Sequence, residues 1–203
     1  MNRLIQAVLV AAALLGCAGV AESDSLPAQL RQGGYVIVFR HGATYRDQAD
    51  TDPLNLENVA KQRQLNDAGR QAARDIGAAF RTLQIPLGDV YTSRFYRAVE
   101  TGRLISGKDE VVATADVSEG GQVVTPIEND RRTAAMKKLV ATPPKPGTNT
   151  LIVSHKPNIV DAFGKDWLDI REGEASIFKP DGKGGYEPVR RLQAVEWAGL
   201  AKK

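Results

Sequence analysis

Cysteine and histidine are scarce in this chain: its 203 residues include one cysteine and two histidines. A single cysteine cannot form an internal disulfide, so the folded domain must be held together by its hydrophobic core. The clusters of cysteine and histidine that bind zinc are also missing from the sequence. Aromatic residues make up 6% of the chain, and although the net charge is +3, no basic run is interleaved with them. The sequence therefore gives no indication that the protein binds nucleic acid.

Long apolar runs are absent except at the N-terminus. Arg3 precedes the run 4–16, which is apolar apart from Gln6, and small residues follow it. The run is shorter than the roughly 20 residues that span a bilayer, so the pattern predicts a secretory signal peptide over residues 1–21. We expect residues 22–203 to form the mature, exported domain, either in the periplasm or anchored to a membrane as a lipoprotein.

The only cysteine, Cys17, lies in this leader. The segment Leu14-Leu15-Gly16-Cys17 resembles a bacterial lipobox, in which the cysteine is acylated and becomes the new N-terminus. The alternative is ordinary signal cleavage after Ala21, which discards Cys17 with the leader. The sequence leaves a lipid anchor and a soluble periplasmic protein both open.

The rest of the chain has the composition of one folded domain, with 42% hydrophobic and 25% charged residues. Apolar periodicity and turn residues predict strands and helices that alternate along the chain. The predicted strands cover 35–39, 89–92, 150–154, 175–178 and 186–190, and the predicted helices cover about 65–83, 96–105, 130–140 and 158–163. This order predicts an α/β three-layer sandwich, in which a mainly parallel sheet lies between helices on both faces.

Both histidines lie just after a predicted strand. His41 comes after the first strand and His155 after the strand 150–154. Binding sites in parallel sheets form beyond the carboxyl ends of the strands, so we expect the two imidazoles to converge there. Arg40 and Arg97 lie near the same edge, and an arginine offers a planar fork of donors that matches phosphate oxygens. The pattern predicts a pocket for an oxyanion.

Four segments carry a resemblance to a known family. Segment 40–44 reads Arg-His-Gly-Ala-Thr, and segment 65–72 reads Leu-Asn-Asp-Ala-Gly-Arg-Gln-Ala. Segment 93–101 contains Ser-x-x-x-Arg-Ala-x-x-Thr, and segment 153–155 carries the second histidine. Together and in this order they resemble the histidine phosphatase superfamily, whose fold is shared with the cofactor-dependent phosphoglycerate mutases.

The resemblance implies that His41 is the nucleophile and takes the phosphoryl group. It also implies that Arg40, Arg97 and His155 bind the phosphoryl oxygens, and that no cofactor or metal is needed. A neutral imidazole is a competent nucleophile near pH 7, because its ordinary pKa is about 6.5. The hydroxyls of Thr44 and Ser154 are further candidate donors to the phosphate.

The general acid that protonates the leaving oxygen is the least determined residue. In much of the family a glutamate lies in the loop after the Arg-Ala-x-x-Thr helix, and Glu119 is best placed to match it. Glu128 and Asp130 lie in the same connection, and Glu174 could approach from the strand after His155. Some phosphohistidine phosphatases of the superfamily lack such an acid.

Two residues depart from the family pattern and indicate which branch of the family the chain resembles. The family's asparagine after the first motif is Asp47 here, which weakens the analogy to the mutases. The glycine that often follows the second histidine is Lys156 here, and this argues against the acid phosphatase and phytase branch. The small branch with a compact lid fits best. The acidic segment 47–52 lacks the glycine and the closing glutamate of an EF-hand, so we expect a polar flap over the site.

These observations predict a metal-independent phosphomonoesterase that acts through a phosphohistidine on His41. The expected substrate is a phosphorylated small molecule or a phosphosugar. The alternatives are a phosphatase specific for the phosphosugars of lipopolysaccharide, a phosphoanion-binding protein without turnover, and a mutase, which export away from glycolytic substrates disfavours.

Overall fold

The central feature of the fold is a six-stranded sheet covered by helices. The computed structural model describes residues 25–119 and 124–202. The predicted leader 1–21, which includes Cys17, lies outside the described residues, so its prediction is untested. The described part confirms the α/β three-layer sandwich expected from the sequence.

The sheet is mainly parallel, as predicted. Its strands are β1 (Val36–Arg40), β2 (Leu87–Ser93), β3 (Val112–Thr114), β4 (Asn149–Ser154), β5 (Ala175–Pro180) and β6 (Tyr186–Leu192). They lie in the order β3-β2-β4-β1-β5-β6. The first four in this order are parallel to one another, while β5 is antiparallel to β1 and β6 is antiparallel to β5.

Six α-helices flank the sheet in the described part of the chain. They are α1 (Leu26–Gln32), α2 (Asp67–Thr82), α3 (Tyr96–Ser106), α4 (Pro126–Ala141), α5 (Lys156–Phe163) and α6 (Ala194–Leu200). Short 3₁₀ turns cover Val59–Lys61, Ala115–Val117 and Lys165–Trp167. Among the described residues, none of the helices is both long enough and apolar enough to cross a membrane.

The hydrophobic core is divided by the sheet into two clusters. Successive side chains of a strand point to opposite faces. Ile37 and Phe39 of β1 therefore join α2, α3 and α6 on one side, whereas Val36 and Val38 join α4 and α5 on the other. All four side chains are fully buried. This double burial explains why β1 reads as a continuous apolar run and not as an alternating one.

Several elements differ from the sequence-based expectation. Helix α4 begins at Pro126, one turn before the predicted start at residue 130, because Thr125 caps it by accepting a hydrogen bond from the Glu128 amide. Helices α1 and α6 and strand β3 were not predicted. Strand β3 has three residues, of which Val112 is half exposed, so its hydrophobic pattern carries almost no signal.

Candidate active site

The two histidines meet at the carboxyl edge of the sheet, as the sequence predicted. His41 follows β1 and His155 follows β4, and these strands are parallel neighbours in which Arg40 pairs with Ser154. The centroids of the two imidazole rings are 5.1 Å apart. Both rings are almost completely buried. The topology of the sheet therefore brings together residues more than a hundred positions apart.

His41 is held as a neutral imidazole with one free nitrogen. Its Nδ1 lies 2.8 Å from the carbonyl oxygen of Gly42. A carbonyl only accepts hydrogen bonds, so Nδ1 carries the hydrogen and Nε2 carries the lone pair. Burial lowers the pKa of His41 well below its ordinary value, and the nearby His155 and Arg97 lower it further. His41 therefore has the charge state and the tautomer of a nucleophile.

The loop that carries His41 is packed tightly against the start of helix α2. The amide of Gly42 donates to Thr101 Oγ1 over 3.1 Å, and Asn66 Nδ2 donates to the carbonyl of Thr44 over 3.1 Å. A Cβ on Gly69 would lie 2.1 Å from the Ala43 carbonyl oxygen, and one on Gly42 would lie 3.0 Å from the carbonyl oxygen of Gly69. Gly42 and Gly69 together let the loop approach α2 closely.

Arg97 lies in the first turn of α3 and its side chain is 0% exposed. Its Nη1 donates to both carboxylate oxygens of Asp50, at 3.0 and 3.2 Å, and its Nη2 donates to Glu119. Its guanidinium carbon lies 4.3 Å from the centroid of the Phe95 ring. Two carboxylates and an aromatic face thus hold a buried cation in one orientation.

Arg40 lies at the end of β1, directly before His41. Its Nη1 donates to the carbonyl of Ile170 over 2.9 Å, and its Nη2 lies 3.5 Å from Glu172 Oε1. Burial lowers the pKa of Arg40 from its ordinary value, while Glu172 acts in the opposite direction. The positions of Arg40 and Arg97 agree with the predicted pocket.

His155 is bound on one edge by a serine and faces a carboxylate on the other. Its Nε2 lies 2.7 Å from Ser93 Oγ, and its Nδ1 lies 3.4 Å from Glu119 Oε1. Burial lowers its pKa well below the ordinary value, and the positive charges of Arg97, Arg63 and Arg40 add to this effect. In the resting site His155 is therefore a neutral imidazole.

Glu119 is the only one of the four candidate acids that the structure places beside both His155 and Arg97 in the described part of the chain. The loop before it is anchored at the carbonyl of Ser118, which accepts from Arg132 Nη1 and from Asn158 Nδ2, each at 3.0 Å. This anchoring fixes the backbone directly before Glu119, after the 3₁₀ turn Ala115–Val117.

The other three candidate acids are engaged or exposed elsewhere. Arg131 and Arg132 hold the carboxylate of Glu128 and lower its pKa to about 2, so it has no proton to donate near neutral pH. Glu174 is buried against Arg191 Nε at 2.6 Å and also accepts from the Arg171 amide. Asp130 lies on the exposed side of α4. The expectation that one of these could replace Glu119 is not supported.

The structure distinguishes between the hydroxyls of Thr44 and Ser154, the two further candidate donors to phosphate. Thr44 is buried near the site, with its Oγ1 3.5 Å from Glu172 Oε1. Ser154 donates its hydroxyl hydrogen to the carbonyl of Val117 over 2.7 Å. The suggestion that Ser154 donates to phosphate is therefore wrong for this structure, because its one hydrogen already ties β4 to the turn before Glu119.

Sequence reasoning missed Arg63 and the role of Asp50. The Arg63 amide donates to Asp50 Oδ1 over 2.9 Å, and the charge of its side chain lowers the pKa of both Arg40 and His155, so its guanidinium lies near the site. Asp50 belongs to the acidic segment 47–52 that was expected to form a flap. In the sequence, the one indication that Arg63 belongs to the site was its position two residues before the 65–72 motif.

Within 25–119 and 124–202, no group of three or more His, Cys, Asp or Glu side chains is arranged to hold a metal ion. The carboxylates nearest the histidines are instead paired with arginines. The site therefore has arginines arranged around two imidazoles whose pKa values are lowered by burial.

Comparison with protein families gives one match: the histidine phosphatase superfamily (branch 1) matches residues 36–121. This range runs from β1, with His41, through Arg97 to Glu119. No curated protein sequence matches the chain.

Solved structures share the fold at low sequence identity. The protein histidine phosphatase SixA, complexed with tungstate, is 18% identical with a TM-score of 0.54, and the match covers 80% of this chain and 98% of that one. Phosphoserine phosphatase from Entamoeba histolytica, in complex with 3-phosphoglyceric acid, is 15% identical with a TM-score of 0.54, covering 79% and 98%. YhfR of Bacillus stearothermophilus is 19% identical with a TM-score of 0.54, covering 76% and 95%. These likenesses establish the common fold.

Proposed function

We propose that this chain is a phosphomonoesterase of the histidine phosphatase superfamily, whose family model matches residues 36–121, and that His41 accepts the phosphoryl group. The observation that carries the proposal is the state of His41. Its Nδ1 hydrogen is committed to Gly42 O at 2.8 Å, which leaves the Nε2 lone pair free in a buried site lined by arginines.

The proposed reaction has two steps. As the phosphate binds, it replaces Glu119 on Arg97, and the Glu119 carboxylate takes up a proton from solvent. In the first step, Nε2 of His41 attacks phosphorus, the bond from phosphorus to the leaving oxygen breaks, and that oxygen takes the proton of the Glu119 carboxyl. In the second, a water attacks the phosphohistidine, the Glu119 carboxylate takes a proton from the water, and the P–N bond breaks. Inorganic phosphate leaves, and His41 and Glu119 return to their starting states.

The cations of the site would neutralise charge on the transferring group. We assign the binding of the phosphoryl oxygens to Arg40 and Arg97, and to His155 once it takes a proton in the presence of the phosphate dianion. We add Arg63, whose charge acts on Arg40 and His155. Preorganised donors of this kind are a principal source of rate enhancement in phosphoryl transfer. Because the arginines are already oriented by Asp50, Glu119 and Glu172, they need little reorganisation when the substrate binds.

We further propose that the substrate is a phosphorylated small molecule or a phosphosugar outside the cytoplasm. The support is the predicted leader 1–21, which places the domain in the periplasm or, if Cys17 is acylated, on a membrane surface. Labelling with palmitate tests the anchor. Label retained by the wild type and lost in Cys17→Ser supports the anchor, whereas a wild type without label removes it.

The activity is tested with residues 22–203 on p-nitrophenyl phosphate in EDTA. We expect the wild type to be active and His41→Ala to be inactive. Tight phosphate binding without hydrolysis of this ester, of phosphosugars or of phosphohistidine would instead establish a phosphoanion-binding protein. Loss of activity in EDTA that returns with a metal ion would contradict the metal-independent mechanism.

The role of Glu119 is tested by changing the leaving group. Nitrophenolate needs little protonation, whereas an alkoxide leaving group needs a proton, and a general acid contributes about 10²–10⁴-fold. Glu119→Gln should therefore slow an alkyl phosphate much more than p-nitrophenyl phosphate. Glu187→Gln on exposed β6 is the control and should change neither rate. Equal losses on both esters for Glu119→Gln would remove the assignment.

A further inference from the structure

The Nε2 edge of His155 is attached to a short chain of hydroxyl groups. Nε2 lies 2.7 Å from Ser93 Oγ, and Ser93 Oγ lies 3.1 Å from Ser118 Oγ. Ser118 Oγ in turn lies 2.8 Å from the carbonyl oxygen of Thr114. Both serines are buried, so their hydrogen bonds are made within the protein.

The direction of these hydrogen bonds is determined from the carbonyl end. The oxygen of Thr114 can only accept, so the hydroxyl hydrogen of Ser118 is directed to it. Ser118 Oγ accepts from the Arg94 amide over 2.9 Å, and its second lone pair accepts the hydroxyl hydrogen of Ser93. Each hydroxyl has one hydrogen and two lone pairs, and Ser118 uses all three.

The hydrogen bonds of Ser93 can be assigned in the same way, and they determine whether Nε2 of His155 donates or accepts. The single hydrogen of Ser93 is committed to Ser118, and its oxygen accepts from the Phe95 amide over 3.1 Å. What remains is a lone pair facing Nε2, so Nε2 must donate. We infer that Ser93, backed by Ser118, is a positioning residue that fixes His155 in the tautomer with its hydrogen on Nε2.

The opposite tautomer is disfavoured by the same contacts. With a lone pair on Nε2, Ser93 would have to turn its hydrogen to His155, and the two serine oxygens would face each other without a hydrogen between them. The Ser118 hydrogen cannot fill that gap without leaving the Thr114 carbonyl unpaired. A buried polar atom that loses its partner costs about 1–3 kcal/mol.

The fixed tautomer directs proton exchange to the other ring nitrogen. Nδ1 of His155 carries the lone pair, is buried and lies 3.4 Å from Glu119 Oε1. Any proton that His155 gains or loses in the reaction is therefore bound at Nδ1, next to the proposed general acid. This consequence for catalysis rests on the proposed function, while the tautomer itself follows from the hydrogen bonds alone.

The test is the ¹⁵N spectrum of residues 22–203 with labelled histidine, recorded near pH 7. The chain has only two histidines, so a His41→Ala spectrum assigns the signals of His155. We expect Nε2 of His155 to show the coupling of a directly bonded hydrogen and Nδ1 to show the shift of an unprotonated nitrogen. A hydrogen on Nδ1 in the wild type, or fast exchange between both tautomers, would overturn the inference without any kinetic measurement.

Two variants make the test specific to the serines. Ser118→Ala releases the hydrogen of Ser93, which can then donate to Nε2, so the hydrogen of His155 should shift to Nδ1. Ser93→Ala should leave His155 as a mixture of tautomers and lower kcat with little change in KM. Ser106→Ala, which removes a hydroxyl donor to Gly102 O in α3, is the control and should leave the spectrum unchanged.

An unchanged tautomer in both Ser93→Ala and Ser118→Ala would contradict the inference. A wild type that hydrolyses nothing but shows the expected spectrum would contradict only the proposed function.

Discussion

Charge compensation is the main feature of the site at the scale of single residues. Two of the three arginines near the histidines have a carboxylate partner or neighbour: Arg97 pairs with Asp50 and Glu119, and Arg40 lies near Glu172. A phosphate dianion must share these cations with carboxylates that are already in place. These carboxylates therefore balance much of the positive charge of the site and moderate its affinity for an anion.

Asp50→Asn tests this competition. Removal of the carboxylate charge next to Arg97 should tighten inhibition by inorganic phosphate, by roughly fivefold or about 1 kcal/mol. The inhibition constant is measured with p-nitrophenyl phosphate as substrate. Asp47→Asn makes the same charge change in the same exposed segment and should have little effect. Weaker inhibition in Asp50→Asn would show that the carboxylate orients Arg97 more than it competes.

The buried histidines make stability depend on pH. Burial lowers the pKa of His41 and of His155 in the folded state, so the unfolded chain binds more protons than the folded chain below about pH 6.5. Their contribution to the free energy of unfolding is complete above that pH and is lost as the pH falls toward the folded-state values. Urea denaturation between pH 7.5 and 5 should show this decrease, and His41→Asn should show a smaller one. An equal or steeper decrease in His41→Asn would contradict a lowered pKa for His41.

At the scale of secondary structure, the position of His41 depends on how closely its loop approaches helix α2. Gly69 is in the first turn of α2, where a Cβ would collide with the Ala43 backbone. Backbone cannot move aside as a flexible side chain can, so the contact requires glycine.

Gly69→Ala should lower the free energy of unfolding by about 1–3 kcal/mol, because α2 and the loop must separate. It should also reduce kcat, since His41 moves with the loop. Gly199→Ala in α6 is a matched control, because a Cβ there meets nothing within 4 Å. That control should be neutral or slightly stabilising, since alanine is the better helix former. Chemical denaturation of both variants measures the difference, and equal stabilities would show that the close approach is not needed.

Helix α4 contacts the segment before Glu119 through two neighbouring arginines, of which Arg131 binds the side chain of Asp116 and Arg132 binds the backbone at Ser118 and Glu119. Arg131 and Arg132 both bind Glu128, but Arg132 Nη1 also donates to the carbonyls of Ser118 and Glu119, at 3.0 and 3.3 Å. Arg132→Ala should lower kcat for an alkyl phosphate by about tenfold, because a small misplacement of a catalytic group is costly. Arg131→Ala should leave kcat nearly unchanged. Similar losses of kcat in the two variants would show that the loss of a positive charge, and not the anchoring of the Glu119 loop, causes the effect.

The sequence predicted those parts of the site that follow strands. His41 and His155 each end a strand with a strong apolar pattern, and Arg97 lies in a motif that begins a helix. Arg63 and Asp50 could not be predicted in the same way, because they lie in a long irregular segment whose path depends on tertiary contacts. The hydrogen bond from Ser154 to Val117 could not be predicted either, because Val117 lies in a short 3₁₀ turn that leaves no periodic hydrophobic pattern in the sequence.

At the scale of the whole molecule, the sheet organises the chemistry. Four parallel strands direct their carboxyl ends to one edge, and the loops after β1 and β4 and the start of α3 supply His41, His155 and Arg97. The two antiparallel strands β5 and β6 extend the sheet beyond β1, and the loop before β5 contributes Glu172 beside Arg40. The fold thus gives a rigid frame to a site whose residues come from distant parts of the sequence.

The central claim is that His41 carries the phosphoryl group during turnover. The most direct measurement is to mix residues 22–203 with substrate, quench in base within milliseconds, and locate the added phosphate by mass spectrometry. We predict an acid-labile phosphoryl group on His41 in the wild type, with more of it in Glu119→Gln when the second step is slowed. Rapid hydrolysis with no phosphate on His41, or undiminished activity in His41→Ala, would contradict the account.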